Sequence, residues 1–344
     1  GGKSGENGTV ASVEVLTDDG APRADLVKRA KIKVGEPFDR GRMLLGGDRI
    51  RSALLKAGFI EATVRAEAVV DQGPPLTQRI IYRVAPGPPV TVELVMSDGK
   101  GKGRARKSLK AYWRETPYTP DFWDEAVDAL LDDYQERGYY AADVTWQATD
   151  SQNGRTVRVL VDRGKPVRLR PVRFEGGTSI PRQRIDKQMT SLKGQGWRKP
   201  LLKPSVLADD LASVRALYRE EGFARVRIGQ PRITLSAKGD NAEVVVAIEE
   251  GPRFTVGTVG YSGGDALPEE QLRASTPIES GTTFSPRRLA EAEQALRERF
   301  DALGYPDTNV ESRVELVADH ANILFEIASG HRKEVGEIAI EGNR

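Results

Sequence analysis

The chain has 344 residues, of which 38% are hydrophobic and 30% charged, and its formal net charge is only +2. That length predicts two or three domains rather than one core, and no apolar run approaches the roughly 18–20 residues of a membrane-spanning helix. Cysteine is absent and the only histidines are His320 and His331, which excludes disulfides, zinc-thiolate sites, iron–sulfur clusters and cysteine nucleophiles and leaves a Ser-His-Asp triad or a multi-histidine metal site almost nothing to draw on.

Residues Gly1–Gly8 read as a cloning remnant or a processed end and are set aside. A first strand is expected at Val10–Leu16 and a first helix at Pro22–Ile32. The next apolar stretch carries Met43, Ile50 and Leu54 at helical spacing. It also holds Gly46-Gly47, and each glycine costs about 1 kcal/mol in a helix interior. The helix is therefore expected to begin only after Gly47. Gly58-Phe59 ends it, an alternating strand follows over Phe59–Val69, and the turn-rich Asp71–Pro75 leads to a strand at Arg79–Val84. Gly87-Pro-Pro-Val90 closes the series.

The same order then returns. Strands are expected at Val90–Met96, Val172–Glu175 and Val256–Tyr261, each followed by a helix, at Arg104–Arg114, Pro181–Leu192 and Pro268–Ser275. Proline opens the first helix in three copies, where its preset φ and missing N–H fit. Second strands follow at Tyr140–Ala148, Phe223–Ile233 and Asn309–Val317, and third strands at Thr156–Val161, Glu243–Ile248 and Asn322–Ile327. Val335–Asn343 repeats the pattern of a first strand, so the chain is expected to be a fragment of a longer protein that stops one strand into a fifth unit.

Four glycines anchor the repeat, Gly58, Gly138, Gly222 and Gly304, each followed by an aromatic residue and spaced by 80, 84 and 82 residues. Fifteen residues before them stand Met43, Trp123, Leu207 and Leu289; eight before, Ile50, Leu130, Val214 and Leu296; four before, Leu54, Tyr134, Tyr218 and Phe300. Those offsets line one face of a helix, and the glycine supplies the left-handed residue its end requires. Six residues after stand Val64, Val144, Ile228 and Val310, on the inward side of a strand. The unit is β-α-α-β-β and α+β in class, each a three-stranded sheet covered by two helices. Its copies are expected at 9–89, 90–168, 169–254 and 255–334, with 335–344 starting the truncated fifth. The formal charges are +3, 0 and +6 for the first three and −7 for 255–344, an alternation suited to neighbouring modules or partner surfaces and not to a nucleic-acid protein.

This unit, with its apolar helix ending in Gly-aromatic and its Gly-Pro marker after the third strand, resembles a POTRA domain. In tandem, over residues 9–344, it is similar to the periplasmic part of the BamA/TamA outer-membrane assembly superfamily. Four copies and the start of a fifth look more like a BamA-type than a TamA-type array. The resemblance implies a sheet with the third strand central and the other two at its edges. It implies periplasmic placement, with the chain anchored to the outer membrane by a C-terminal barrel absent from this sequence. Implied partners are unfolded outer-membrane β-barrel proteins and accessory lipoproteins or periplasmic chaperones. The alternatives are a TamA-like or two-partner secretion transporter, and a cell-division or cell-wall adaptor with a membrane helix in place of the barrel.

Such a unit can bind without chemistry, because an edge strand offers unpaired N–H and C=O groups to another chain's strand. The second strands are the candidates. The third copy is preferred, with Phe223, Arg225, Val226, Arg227, Ile228 and Arg232, since its arginines charge the outer face; the plainer reading makes them ordinary solvated or edge-protecting residues. No catalytic, metal-binding or cofactor-binding residue is expected, and no nucleic acid.

Other features read as structural. The six basic residues of Lys100–Lys110 suit a flexible loop and first helix turn. Trp123 of the cluster Tyr112, Trp113, Tyr118, Phe122 and Trp123 belongs in a core, with Trp113 or Phe122 exposed. The carboxylate pairs Asp132-Asp133, Asp209-Asp210, Glu249-Glu250 and Glu269-Glu270 suit solvated faces, Asp209-Asp210 lying near a helix start. Gly257-Thr-Val-Gly260 lies in a first strand and Gly194-Gln-Gly196 in a loop, so neither is a nucleic-acid or phosphate motif.

Overall fold

The computed structural model describes residues 8–18, 20, 23–71, 73, 76–193 and 199–333. The expected fifth-repeat strand at Val335–Asn343, Pro22 at the first helix start, the Gly194–Gly196 loop and residues 1–7 of the set-aside Gly1–Gly8 segment all lie outside the described residues. The chain divides into two compact units, Gly1–Pro166 and Val167–Arg344.

The first unit holds two modules. One runs β1 (Thr9–Thr17), α1 (Ala24–Ala30), α2 (Arg40–Lys56), β2 (Thr63–Asp71) and β3 (Thr77–Ala85). The next runs β4 (Val90–Met96), α3 (Lys102–Glu115), α4 (Phe122–Gln135), β5 (Asp143–Ser151) and β6 (Gly154–Asp162). The second unit also holds two. The third module has β7 (Arg168–Leu169), β8 (Arg173–Gly176), α5 (Arg182–Gln188), α6 (Pro204–Glu220), β9 (Arg227–Ile228), β10 (Arg232–Leu235) and β11 (Asn241–Glu249). The fourth has β12 (Thr255–Gly263), α7 (Glu269–Ala274), α8 (Pro286–Ala302), β13 (Asn309–Val317) and β14 (His320–Ala328).

Each sheet centres on its last strand. The orders are β1-β3-β2, β4-β6-β5 and β12-β14-β13, the first pair parallel and the second an antiparallel hairpin. In the third module the same plan holds, with β7 and β8 together forming one edge of β11 and β9 and β10 the other. A helical crossover allows the parallel pairing and a short turn the antiparallel one. Alternate residues of each central strand, such as Ile80, Tyr82 and Val84 in β3 and Ile323, Phe325 and Ile327 in β14, are buried.

The second helix of every module lays its repeat positions on that buried face. Ile50, Leu130, Val214 and Leu296 are at most 1% exposed. The glycine that follows closes the helix in the same way each time, with φ between +89° and +95° at Gly58, Gly138, Gly222 and Gly304. Its own N–H bonds the carbonyl three residues back, and the next N–H, from Phe59, Tyr139, Phe223 or Tyr305, bonds the carbonyl of Leu54, Tyr134, Tyr218 or Phe300 at 3.0 Å. This is a Schellman closure. The apolar contact that accompanies it is an edge-on ring pair in three copies, Tyr134–Tyr139, Tyr218–Phe223 and Phe300–Tyr305.

Several expectations are corrected. Helix α2 begins at Arg40, capped by Asp39, whose carboxylate accepts from Arg42 N–H, and runs straight through Gly46 and Gly47. The reason is across the core. Tyr82 sits on β3 where the second module has Val159, and its hydroxyl donates to Met43 O at 2.8 Å. A Cβ on Gly46 would lie 2.2 Å from that hydroxyl, so Gly46 makes room for the ring, whereas one on Gly47 would come no closer to it than 3.6 Å. The Lys100–Lys110 run is not a loop, since all but Lys100 of its basic residues lie on α3. Phe122 and Trp123 are both buried, and Tyr112, Trp113 and Tyr118 are half-buried. Asp210 is 2% exposed and not on a solvated face. Its carboxylate accepts from Thr190 N–H, Ser191 N–H and the Thr190 hydroxyl at 2.7–2.8 Å, tying the turn after α5 to α6. Arg168, expected at the end of the second repeat, is the first residue of β7 and pairs in the third sheet.

Candidate protein-binding edges and the joints between modules

Among the described residues β2, β5 and β13 each pair with their central strand alone; the outer edges of β2 and β5 carry unpaired backbone groups, while on β13 Val310 O accepts from Arg297, Ser312 N–H donates to Glu293 and Leu316 O accepts from Arg225, leaving Val314 as the residue between them. The preferred edge of the third module is shorter than expected. The strand expected over Phe223–Ile233 is broken into β9 and β10 at Gly229-Gln230-Pro231, where proline has no N–H for the ladder. Phe223 and Val226 precede it, in the turn after α6, and are 7% and 5% exposed, so they belong to the core. Arg225 is also occupied: its guanidinium donates to Leu316 O in the fourth module at 3.0 Å and lies 5.4 Å from the centre of the Phe254 ring. Arg227, Ile228 and Arg232 remain on the strand, with Arg232 bonded to Glu175 at 2.6 Å.

First strands are treated differently. In the first module Phe38 N–H donates to Gly8 O, Val10 N–H to Glu36 O and Gly35 N–H to Val10 O, all within 2.9 Å. In the third, Leu202 N–H donates to Val167 O at 2.8 Å and Leu169 N–H to Pro200 O at 2.9 Å. In the fourth, Phe284 N–H donates to Phe254 O, Val256 N–H to Thr282 O and Gly281 N–H to Val256 O. The segment between the two helices thus lies antiparallel along the start of the strand, through the bridges Thr9–Pro37, Arg168–Leu201 and Thr255–Thr283. It covers that stretch of the edge, as folded proteins commonly do.

The two sequence markers turn out to be halves of one joint. Gly58 O accepts from Val90 N–H at 2.8 Å, Gly222 O from Phe254 N–H at 2.8 Å, and Gly304 O from Lys333 N–H at 2.7 Å. Two residues past the first glycine, Ile60 packs into the core of the second module, and Phe254, at the end of the Gly251-Pro-Arg-Phe254 segment that follows β11, packs into the core of the fourth. Three residues past the glycines stand Glu61, Ala141, Arg225 and Asp307. Glu61, 5% exposed, accepts from Trp123 Nε1 at 2.9 Å and from Arg155 Nη1 at 2.8 and 2.9 Å. Arg155 also pairs with Asp150, which holds that carboxyl below the usual carboxylate range. Asp307 pairs with Lys333 at 2.7 Å.

Further contacts bind each pair. Arg51 of α2 donates to Trp113 O, Arg114 O and Thr116 O, satisfying carbonyls left over at the end of α3. Burial lowers its pKa. In the second unit Glu220 of α6 accepts from Ser285 Oγ and Arg287 N–H at the start of α8. The sequence reading missed Glu61, Arg51 and Glu220. A signal for Glu61 was present in its offset from the marker glycine, where three of the four copies carry a charge. Nothing local distinguishes Arg51 or Glu220 from other surface charges.

Among the described residues no group of three or more His, Asp and Glu is placed to hold a metal, and no helix is long and apolar enough to cross a membrane. Fold and joints together define a serial β-α-α-β-β protein with exposed sheet edges. The family model for POTRA, described as surface antigen variable number repeat, matches residues 167–251 and 254–330. The outer membrane protein assembly factor BamA of Neisseria meningitidis serogroup B is 22% identical over 322 residues, covering 91% of this chain and 39% of that protein. A putative outer membrane protein assembly factor of Treponema pallidum is 21% identical over 223 residues, covering 63% of this chain and 27% of that protein. The crystal structure of POTRA3-5 of Haemophilus influenzae BamA aligns with a TM-score of 0.40 and 15% identity over 69% of this chain and 94% of that one. The chain spans about two fifths or less of the length of these two curated relatives. The second unit thus matches the POTRA family in both of its modules, and the chain is similar over 91% of its length to a BamA-type outer membrane protein assembly factor.

Proposed function

We infer that this chain is a periplasmic scaffold of an outer-membrane β-barrel assembly factor. It receives unfolded outer-membrane proteins and docks accessory lipoproteins or chaperones by strand addition, without chemistry of its own. Its modules are the repeats at 9–89, 90–166, 167–254 and 255–334, and a barrel outside this sequence anchors it to the outer membrane. The observation that carries this reading is the sheet order: β2, β5 and β13 are edge strands of nine residues each, paired on one side only among the described residues. Main-chain hydrogen bonds read no particular side chain, so one edge serves many β-rich clients. The third edge keeps a share in this through Arg227, Ile228 and Arg232, although its break at Pro231 shortens what it can offer. A photocrosslinker placed in turn at each residue of Asn309–Val317 tests the reading, with an unfolded outer-membrane protein as client. Strand addition produces crosslinks at every second residue. A pattern without that alternation at this edge and at Thr63–Asp71 and Asp143–Ser151 overturns it.

A further inference from the structure

The second module departs from the other three at its first strand. Helix α3 is 14 residues long, where α1, α5 and α7 have 7, 7 and 6. Helix α4 then follows after residues 116–121, which turn directly from one helix into the next. Among the described residues no bridge or backbone hydrogen bond joins 116–121 to β4. The segment that covers the first strand elsewhere has been taken up into the helix.

The direction of the exposed groups follows from the ladder. Pro89 O accepts from Arg155 N–H on the β6 side, while Val90 N–H donates to Gly58 O on the other. With a period of two, the N–H and C=O of Val92 and Leu94 also point away from β6. Val92 occupies the place of Val10, Leu169 and Val256, each of which donates its N–H to a covering segment. Among the described residues Val92 has no such acceptor.

A groove replaces the missing cover. Its 220 Å³ cavity is floored by Ile60, Val92, Leu94, Leu109 and Trp113, with Arg106 and Lys110 on the helix side. A second cavity of 510 Å³ shares Ile60, Lys110 and Trp113 and adds Lys56 and Arg114. The two linings hold these four cations and no carboxylate. Arg51, by binding the carbonyls of Trp113, Arg114 and Thr116, fixes the end of α3 that forms this wall.

We propose that the outer edge of β4 is an acceptor for an extended acidic polypeptide, apolar at alternate positions, which adds antiparallel as the covering segments of the other modules do. This rests on the strand-addition reading above and assigns it a further strand, with a preferred client chemistry. Alternate side chains of the incoming strand lie on Leu94, Leu109 and Trp113, and its carboxylates meet Arg106 and Lys110. The cations select against basic segments and raise the rate of encounter with acidic ones.

Site-resolved amide hydrogen exchange on the whole chain tests this. One probe is a synthetic peptide alternating valine and threonine with glutamates at both ends; the other carries lysines instead. The acidic peptide is expected to slow exchange at Val92 and Leu94, and the basic peptide to do so far less. Val92→Pro removes one outward N–H and leaves the β6 ladder intact, and weakens binding by roughly threefold to tenfold. Arg106→Glu combined with Lys110→Glu changes only helix-surface charges and reverses the preference between the probes, a readout that holds even if the proline variant folds poorly. Protection confined to β2, β5 or β13, with Val92 and Leu94 unchanged, overturns this site and leaves the broader reading standing. Absence of protection in every module overturns both, and equal binding of the two probes overturns the choice of an acidic client.

Discussion

Gly46 shows how one residue's value depends on what faces it. In an exposed helix, replacing glycine by alanine stabilises by about 1 kcal/mol. Here the new methyl would meet the Tyr82 hydroxyl and ring carbon at 2.2 and 3.1 Å. Gly46→Ala is expected to destabilise the first module by about 1–3 kcal/mol. In a Tyr82→Val background, which places there the residue found at position 159, the same change is expected to cost less, the remaining close neighbour being Ala30 O at 3.3 Å, and urea denaturation of the four variants measures that difference. Tyr82 also carries a pH signature. Its burial pushes the phenol up to about 12, against about 10 for a free tyrosine. The folded state holds its proton more tightly than the unfolded one. That contribution is therefore fully present below pH ~10 and is lost as pH rises through about 12. Burial also raises Tyr134 and Tyr218, so ultraviolet titration should show one late-ionising tyrosine fewer in Tyr82→Phe than in the parent chain.

Among the elements, the helix closure is common to all four modules while its surroundings differ. Gly58 and Gly222 have φ of +94° and +95°. A Cβ on Gly58 would have nothing within 4 Å, whereas one on Gly222 would lie 2.9 Å from Thr283 Cγ2 and 3.0 Å from Phe254 O. Gly58→Ala should therefore cost only the left-handed strain, about 1–2 kcal/mol. Gly222→Ala should cost more, because the third and fourth modules meet at that atom. Thermal unfolding of the two variants ranks them, and equal losses would show that the joint yields freely. The helix starts are simpler: Asp39 and Ser285 each accept from the N–H three residues on and are the caps that sequence preference anticipates.

Across the molecule, each compact unit is a pair of modules welded by contacts that neither could make alone. Glu61 is the centre of the first weld. Replacing it by alanine leaves the Trp123 indole and the inner side of Arg155 without their acceptor, at a cost of about 2–4 kcal/mol. The larger effect is on cooperativity. The first two modules are expected to unfold together in the parent chain and in two steps in Glu61→Ala, read in a Trp197→Phe background by the fluorescence of Trp113, Trp123 and Trp146 for the second module and by far-ultraviolet circular dichroism for the whole chain. A single transition in the variant would show that the backbone bond from Val90 to Gly58 and the packing of Ile60 suffice to couple them.

The repeat itself was legible in the sequence because its signals are local. Helical spacing put Ile50, Leu130, Val214 and Leu296 in the cores, and the left-handed requirement at a helix end marked Gly58, Gly138, Gly222 and Gly304. Period and handedness are properties of a short stretch of chain, and a fourfold copy repeats them until chance is excluded. What lay across the sheet or in the next module was not legible. Gly46 in mid-helix is explained only by Tyr82, 36 residues away, and Glu61 finds its partners at 123 and 155. The bare edge of β4 depends on a segment that fails to return, which local propensity does not reveal, since a longer helix reads as favourably as a short one with a loop. Tertiary structure decided those points because a hydrogen-bond partner or a steric neighbour is defined by position in space, and composition and periodicity carry no record of it.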